Sequence, residues 1–470
     1  MSKINKKSLR KDSRFDENVR LAGGGGQMAA VQSDEAQLRR SVLACLLWEN
    51  TAYQSGNEIS DNIAMLIPKV DPAACARIVE EARHEQKLRH VPLFMISEMA
   101  KYPSHRKHVE QLINSVCTRA DQLTDLLSIY WRNGRVPLAN SIKRGLASAF
   151  TKFDEYQLAK YDRDAPVLLR DVMFLTHPKP QSKEQEEMFK RVASRTLTTP
   201  KTWETMLSSG ADKKETFTTL INEKKLGGLA FIRNIRNMHD SGVEYSTLKK
   251  GFDSLSRNVL LPLNFYTAYK TNPTYAREIE DAMLKAYSNL PKLPGHTVFV
   301  VDVSGSMQAP ISQKSRVNRM EAAASLAVLA AETAERITIY ATAGSWSEHK
   351  TARVANVRGF GMADKILESK QRLGGGGIFT RQCLDYIKKD MNGEVPDRII
   401  VFSDSQDCDT NNRKTPDTFG KNNYIVDVSS HTHGVNYKGV WTAEISGWSE
   451  NLLTYIRGFE GLENNFVENS

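Results

Sequence analysis

The stretch PKLPGHTVFVVDVSGSM, Pro291 to Met307, decides the fold. Its opening PKLPG ends a long helical region, because proline cannot continue a helix and glycine favours a turn. From His296 to Val301 the chain has the short apolar, β-branched run of a buried parallel strand. Directly after it, Asp302-Val303-Ser304-Gly305-Ser306 sets a carboxylate and two hydroxyls on one tight loop. A domain boundary is expected near residue 292.

Downstream of that point β-type runs alternate with helical ones. Strands are expected at Thr297 to Val301, Ile337 to Tyr340, Arg398 to Phe402 and Tyr424 to Val428, with helices around Met320 to Ala334 and Gln382 to Lys389. Such alternation predicts a doubly wound, Rossmann-like α/β domain over 292–470. Upstream, from about Glu35 to about Asn289, apolar residues recur three and four apart, which predicts an all-α domain over 21–291. After Pro137, which is expected to open a helix, Leu138, Ile142 and Leu146 share one stripe while Asn140, Lys143 and Arg144 project elsewhere. Further helices are expected at Leu38 to Trp48, Ala73 to Arg83, Leu93 to Ala100, His108 to Cys117, Trp203 to Leu207, Leu226 to Met238 and Tyr275 to Tyr287. Many short helices with brief polar breaks suit an antiparallel helical-repeat array. No strict period marks the repeats, so an irregular bundle is the competing arrangement.

Length and composition agree with a multidomain globular chain. At 470 residues one hydrophobic core is insufficient, and 40% hydrophobic with 25% charged residues excludes wholesale disorder. Residues 1–20 carry seven Lys or Arg and three acids, with no apolar run after them, and read as a basic, flexible segment rather than a secretory signal. No apolar stretch approaches the ~18 residues of a membrane span, so a cytoplasmic protein is expected. The five cysteines (Cys45, Cys75, Cys117, Cys383, Cys408) are scattered without a C-x-x-C pair and read as reduced thiols.

Open α/β sheets bind ligands at the carboxyl edge of their strands, where Asp302, Ser304 and Ser306 stand. Oxygen-only donors suit Mg2+ or another divalent hard cation and disfavour zinc or copper. Thr380, after the run Gly374 to Gly377, and Asp404, at the end of the strand Arg398 to Phe402, can complete the set. Asp and Ser after one strand also form ordinary turns, but three loops supplying such donors in this order are far more specific. Asp407 and Asp409 read as solvated acids. An aspartyl-nucleophile phosphatase would need an acid where Ser304 stands, and Gly374 to Gly377 lacks the Lys-Ser or Lys-Thr of a phosphate loop. No nucleophile or general base accompanies the loops, so no enzyme is expected.

This pattern resembles a von Willebrand factor A domain, from about Thr297 to about Phe459. The resemblance implies a metal-ion-dependent adhesion site of Asp302, Ser304, Ser306, Thr380 and Asp404, with one coordination position left for an acidic group of a partner. The family places its threonine at or one residue after a Gly-Gly pair, whereas Ile378 and Phe379 intervene here. Thr380 is therefore the ligand on which the match is weakest.

The net charge of +9 is unevenly placed. Residues 291–470 hold 20 Lys or Arg against 21 acids, so the first 290 residues hold 44 against 34 and carry the whole excess. Helix-surface cations serve solubility, yet here they stand beside aromatics in Tyr130-Trp131-Arg132-Asn133-Gly134-Arg135, then at Lys143-Arg144, Arg170 and Leu175-Thr176-His177-Pro178-Lys179-Pro180. Cations beside aromatic planes suit single-stranded RNA. Taken singly, Trp131 fits the core and His177, before a proline, fits a helix cap.

Leu38-Arg39-Arg40-Ser41-Val42-Leu43, Asn50-Thr51-Ala52-Tyr53, Leu168-Leu169-Arg170-Asp171-Val172 leading to Leu175–Pro180, and Leu226 to Met238, joined to the A domain, together resemble the Ro autoantigen family of TROVE-module proteins, in a bacterial or phage-type form. The resemblance covers about residues 20 to 460. It implies a HEAT-like helical-repeat ring closed by the A domain, holding small noncoding Y-like RNA and the single-stranded 3′ ends of misfolded RNA. Lys143, Arg144, Arg170, His177 and Lys179 match positions on or near the family's RNA-binding helices. The implied role is a non-catalytic ribonucleoprotein subunit in RNA quality control, monomeric as a protein, off the membrane, and working with an exoribonuclease such as polynucleotide phosphorylase. The family's glycine-rich Gly-Thr-Tyr-Tyr-like segment is reduced here to Asn50–Tyr53. The competing function is a protein–protein adaptor that captures an acidic partner group at a Mg2+ adhesion site.

Overall fold

The computed structural model describes residues 20–22, 28–30, 33–43, 56–198, 200, 202–256, 260–311, 317–345, 348–404, 418–428, 441–446, 452–453, 456–457 and 460–462. Strands β1 (Arg20–Ala22) and β2 (Met28–Ala30) pair antiparallel near the start. By compactness the chain forms two units, one of Ser33–Trp48 with Asn57–Ala211 and one of Asp212–Ser470 with Met1–Gln32 and Glu49–Gly56. The change from helices to sheet near residue 292 therefore does not coincide with the division between compact units, which falls at 211/212.

The unit containing residues 57–211 is helical throughout its described length. Its elements are α1 (Asp34–Leu43), α2 (Gly56–Leu66), α3 (Pro72–Glu80), α4 (His90–Met99), α5 (Arg106–Val116), α6 (Asp121–Tyr130), α7 (Asn140–Phe150), α8 (Glu155–Ala159), α9 (Leu169–Thr176), α10 (Lys183–Ser194) and α11 (Trp203–Ser208). Local chemistry starts them: the Asp71 carboxylate accepts from the Ala73 and Ala74 N–H groups, with Pro72 at the first helical position, and Asp154 and Gln157 form a capping box. α4 lies at the centre, buried at every residue from Val91 to Met99. Its one acid, Glu98, is paired with Arg132 and Lys101, each at 2.7 Å. Gly145 lets α7 meet α5, since a Cβ there would fall 2.6 Å from Ile113 Cδ1.

α7 begins at Asn140, later than the proline predicts. Residues 136 and 137 are held instead by the end of α6, where Trp131 Nε1 donates to the Val136 carbonyl at 2.9 Å and the Tyr130 hydroxyl to that of Pro137 at 3.3 Å. α3 stops at Glu80 and passes into one π turn over Glu81–Glu85, and α1 is described only to Leu43.

In the other unit α12 (Lys213–Asn222), α13 (Gly228–Asp240), α14 (Tyr245–Asp253), α15 (Pro262–Thr271) and α16 (Ala276–Tyr287) precede a six-stranded sheet. The sheet comprises β3 (Leu293–Asp302), β4 (Ala334–Ser345), β5 (Glu348–Arg353), β6 (Arg398–Ser403), β7 (Asn422–Asp427) and β8 (Ala443–Ser446), in the order β5-β4-β3-β6-β7-β8. β5 pairs antiparallel with β4 and every other pairing is parallel. The helices α17 (Arg319–Thr333), α18 (Phe360–Leu373) and α19 (Thr380–Asp390) complete the α/β architecture expected from sequence. β5, α18 and β8 were not anticipated. Glu348–Arg353 has no apolar alternation and is a strand only because β4 supplies its partner. α18 does carry a buried stripe, Phe360, Ala363, Ile366 and Leu373.

α17 is buried along nearly its whole length, and α15 packs against it in the same unit. Lys270 pairs with Glu321, while the Tyr266 and Tyr269 hydroxyls both donate to Asp364 of α18, at 3.2 and 2.9 Å. These contacts join α15 to the helices flanking the sheet.

Among the described residues no helix is long and apolar enough to cross a membrane. Cys75, Cys117 and Cys383 are buried, and burial pushes the Cys75 and Cys117 thiols up to about 12. Such thiols remain protonated and unreactive at neutral pH. Cys45, Cys408, Asp407, Asp409 and the Asn50–Tyr53 segment lie outside the described residues.

Candidate metal centre and nucleic-acid face

β3 delivers Asp302 to the carboxyl edge of the sheet, fully buried between β4 and β6. Its Oδ1 accepts the Ser304 N–H at 2.8 Å and its Oδ2 accepts the Ser403 hydroxyl at 2.6 Å. The Ser304 and Ser306 hydroxyls stand 3.3 Å apart, and Asp404, whose carboxyl Ser306 helps to hold down, follows β6 and is also fully buried. The structure thus brings Asp302, Ser304, Ser306 and Asp404 together.

Thr380 reaches the same edge differently. The glycine run is fastened to the Asp302–Ser306 loop and to the end of β4: the Gly305 N–H donates to the Gly375 carbonyl at 2.9 Å, and the Gly376 N–H to the Gly344 carbonyl at 2.7 Å. Gly374 adopts φ +82°, a conformation that favours glycine. The two residues that interrupt the family pattern, Ile378 and Phe379, turn into the core, and Thr380 follows as the buried first residue of α19. Two extra residues are accommodated by burying two apolar side chains.

Burial raises the Asp302 carboxyl above the usual carboxylate range, against the hydrogen bonds from Ser403 and Ser304. Asp404 is raised too, by burial first and then by the charge of Asp302, with Asp427 adding to the effect and Ser306 and Arg319 opposing it. Two buried carboxylates that repel one another among hydroxyls form a donor set suited to a hard divalent cation, which would relieve both desolvation and repulsion. Asp302, Ser304, Ser306, Thr380 and Asp404 would hold it.

Three neighbours escaped the sequence reading. Ser403 is visible only as the residue before Asp404. Asp427, buried at the end of β7 and in register with Ser403, carries the same strand-end signal as Asp404. Arg319, the buried first residue of α17, carries no local signal.

In the helical unit, α9 presents the second candidate face. Leu169, Val172 and Thr176 face the core, while Phe174 is 56% exposed and Leu175 is also exposed. Arg170, half-buried and four residues before Phe174, shares its side of the helix. Its charge, with that of Arg195, holds down Asp162, which burial raises. His177 is the left-handed cap of α9 (φ 50°) and stays exposed, as does Lys179 beyond it. Lys143 and Arg144 are exposed on α7, which packs against α9, and Arg144 is ion-paired with Glu110 at 2.7 Å. Trp131 belongs to the core margin, its ring under Arg135. Phe174 carries no sequence signal of its exposure, since an aromatic residue on a partly apolar helix is as often buried.

Residues 297–406 match the von Willebrand factor type A domain family, and residues 193–350 match the TROVE domain family. No curated protein matches the chain in sequence. Among solved structures, the Ro (RSR) protein of Deinococcus radiodurans shares the fold, with a TM-score of 0.56 and 14% identity over 89% of this chain and 97% of that one. The chain thus joins a match to the TROVE domain family to a match to the von Willebrand factor type A domain family, and it shares its fold with a Ro protein.

Proposed function

We propose that this Ro-type chain is a non-catalytic RNA-binding scaffold of the cytoplasm, holding small noncoding Y-like RNA and the single-stranded 3′ ends of misfolded RNA for quality control or decay, with an exoribonuclease such as polynucleotide phosphorylase as downstream partner. One observation carries the reading: the end of α9 exposes an aromatic ring, Phe174, among the basic side chains of Arg170, His177 and Lys179. Cations neutralise phosphates and release counterions, and an exposed ring stacks on an unpaired base. The basic excess of the first 290 residues supports it. The test is binding of a structured RNA with a single-stranded 3′ tail across a salt series. Affinity should fall steeply with salt and drop when Arg170, His177 and Lys179 are changed together to glutamine. Absent or salt-independent binding, or an unchanged affinity in the triple variant, overturns it.

The buried Asp302–Asp404 pair favours a second reading, in which Mg2+ at these loops captures an acidic group of a protein partner. Asp302→Ala should then abolish partner capture and leave RNA binding intact.

A further inference from the structure

Arg319 stands out beside the Asp302 and Asp404 loops because its charge is buried and one of its donors, Nη1, is unspent. The residue is 3% exposed, and its buried Nη1 has no hydrogen-bond partner among the described residues. Its place is set by the backbone: the Arg319 N–H donates to the Ala309 carbonyl at 3.1 Å, and the Ala309 N–H to that of Ser306 at 3.1 Å, so α17 starts directly from the Ser306 loop. From there its charge acts on Asp404. Arg398, a second buried arginine of this domain, shows what a structural role looks like. Arg398 sets its fork on Glu460 through hydrogen bonds of 2.9 and 2.7 Å and gives a third N–H to Thr297. An arginine retained only as a countercharge would be expected to do the same, since a buried donor without a partner is costly.

We propose that Arg319 is an anion anchor, and that the metal loops and its guanidinium together bind a carboxylate. The inference rests on the reading of Asp302, Ser304, Ser306, Thr380 and Asp404 as a cation site and adds to it a residue that recognises the ligand. A planar guanidinium matches a carboxylate, which offers one oxygen to it and a second to its neighbour. The charge around the site selects a monoanion over phosphate. Asp302, Asp404 and Asp427 are three buried acids, and with Arg319 and a divalent cation they balance, so a carboxylate adds one negative charge and a phosphate dianion two.

The test is a calorimetric titration of the full chain with Mn2+, in buffer alone and with acetate, inorganic phosphate or a blocked peptide carrying one glutamate. In the native protein acetate should tighten Mn2+ binding by at least about fivefold, and Mn2+ should tighten acetate by the same factor. Arg319→Gln should still bind Mn2+ but lose this linkage. Arg319→Lys, which keeps the charge without the fork, should lose most of it, and this variant keeps the test readable should the glutamine form fold poorly. A peptide effect matching that of acetate identifies a protein side chain as the source, whereas an acetate effect alone identifies a small free carboxylate. Equal linkage in the native and variant proteins overturns the anchor, as does linkage to phosphate without acetate, or none in the native protein. Failure of the native protein to bind Mn2+ in plain buffer is a separate result and removes the cation site itself.

Discussion

The Gly305 N–H donates to the Gly375 carbonyl at 2.9 Å, and a Cβ on Gly305 would fall 2.7 Å from that same oxygen. The first metal loop and the glycine run therefore touch through backbone alone, with no flexible side chain to yield. Gly305→Ala should part them, costing about 1–3 kcal/mol of stability by overpacking and weakening Mn2+ binding at least about tenfold. Chemical denaturation and a calorimetric titration measure the two effects. Full Mn2+ affinity in a destabilised variant would show that the glycine run serves packing only.

On α9, charge and stacking should separate in a salt series. Arg170→Gln and Lys179→Gln should each lower the slope of log affinity against log salt by about one. Phe174→Ala should weaken binding by about 1–3 kcal/mol and leave the slope alone, because a stacked ring displaces no counterion. Arg144→Gln should matter little, since Glu110 already neutralises that charge.

Arg398 and Glu460 form a buried pair, 2% and 6% exposed, that ties the turn at 460–461 to β6, with the Tyr424 hydroxyl also on Glu460 at 3.1 Å. Glu460→Gln should cost about 3–5 kcal/mol, because it strands a buried guanidinium. Arg398→Met with Glu460→Leu should recover much of that loss. Urea denaturation of the native protein and the two variants tests this, and a single substitution as mild as the double one would disprove it.

His296 gives the sheet an acid-side weakness. Burial and then the Arg336 charge lower its pKa, against the pull of Glu394. Above the ordinary histidine range both folded and unfolded forms are neutral and stability is unaffected. As the pH falls through that range the unfolded chain takes up its proton first, so stability is lost until folded His296 also protonates. Denaturation midpoints between about pH 8 and about pH 5 should show this decline, and His296→Gln should flatten it.

Much of the α/β half was legible because its signals are local. The run Thr297–Val301 is a strand in any context that buries it, and Asp302 must follow at its carboxyl end. α9 was legible in its cap, where His177 takes the left-handed conformation before a proline, and less so in its exposed face, where nothing in the sequence tells that Phe174 meets solvent. β5 was invisible because its hydrogen bonds belong to β4 and not to its own side chains. Arg319 was invisible because nothing in its neighbours along the chain tells that α17 starts against the Ser306 loop.

The sequence by itself determined the two kinds of secondary structure, the place near residue 292 where one gives way to the other, the uneven charge, and the carboxylates and hydroxyls that follow the strand ends at Asp302, Ser304, Ser306 and Asp404. Each of these follows from residue type and short-range spacing. Only the tertiary structure decided that compactness divides the chain at 211/212, that Ile378 and Phe379 are absorbed into the core, and that the charges of Arg319 and Asp427 act on Asp404. The physical reason is that burial and proximity between residues far apart in the chain are set by how strands and helices pack, and packing has no signature in any single stretch of sequence.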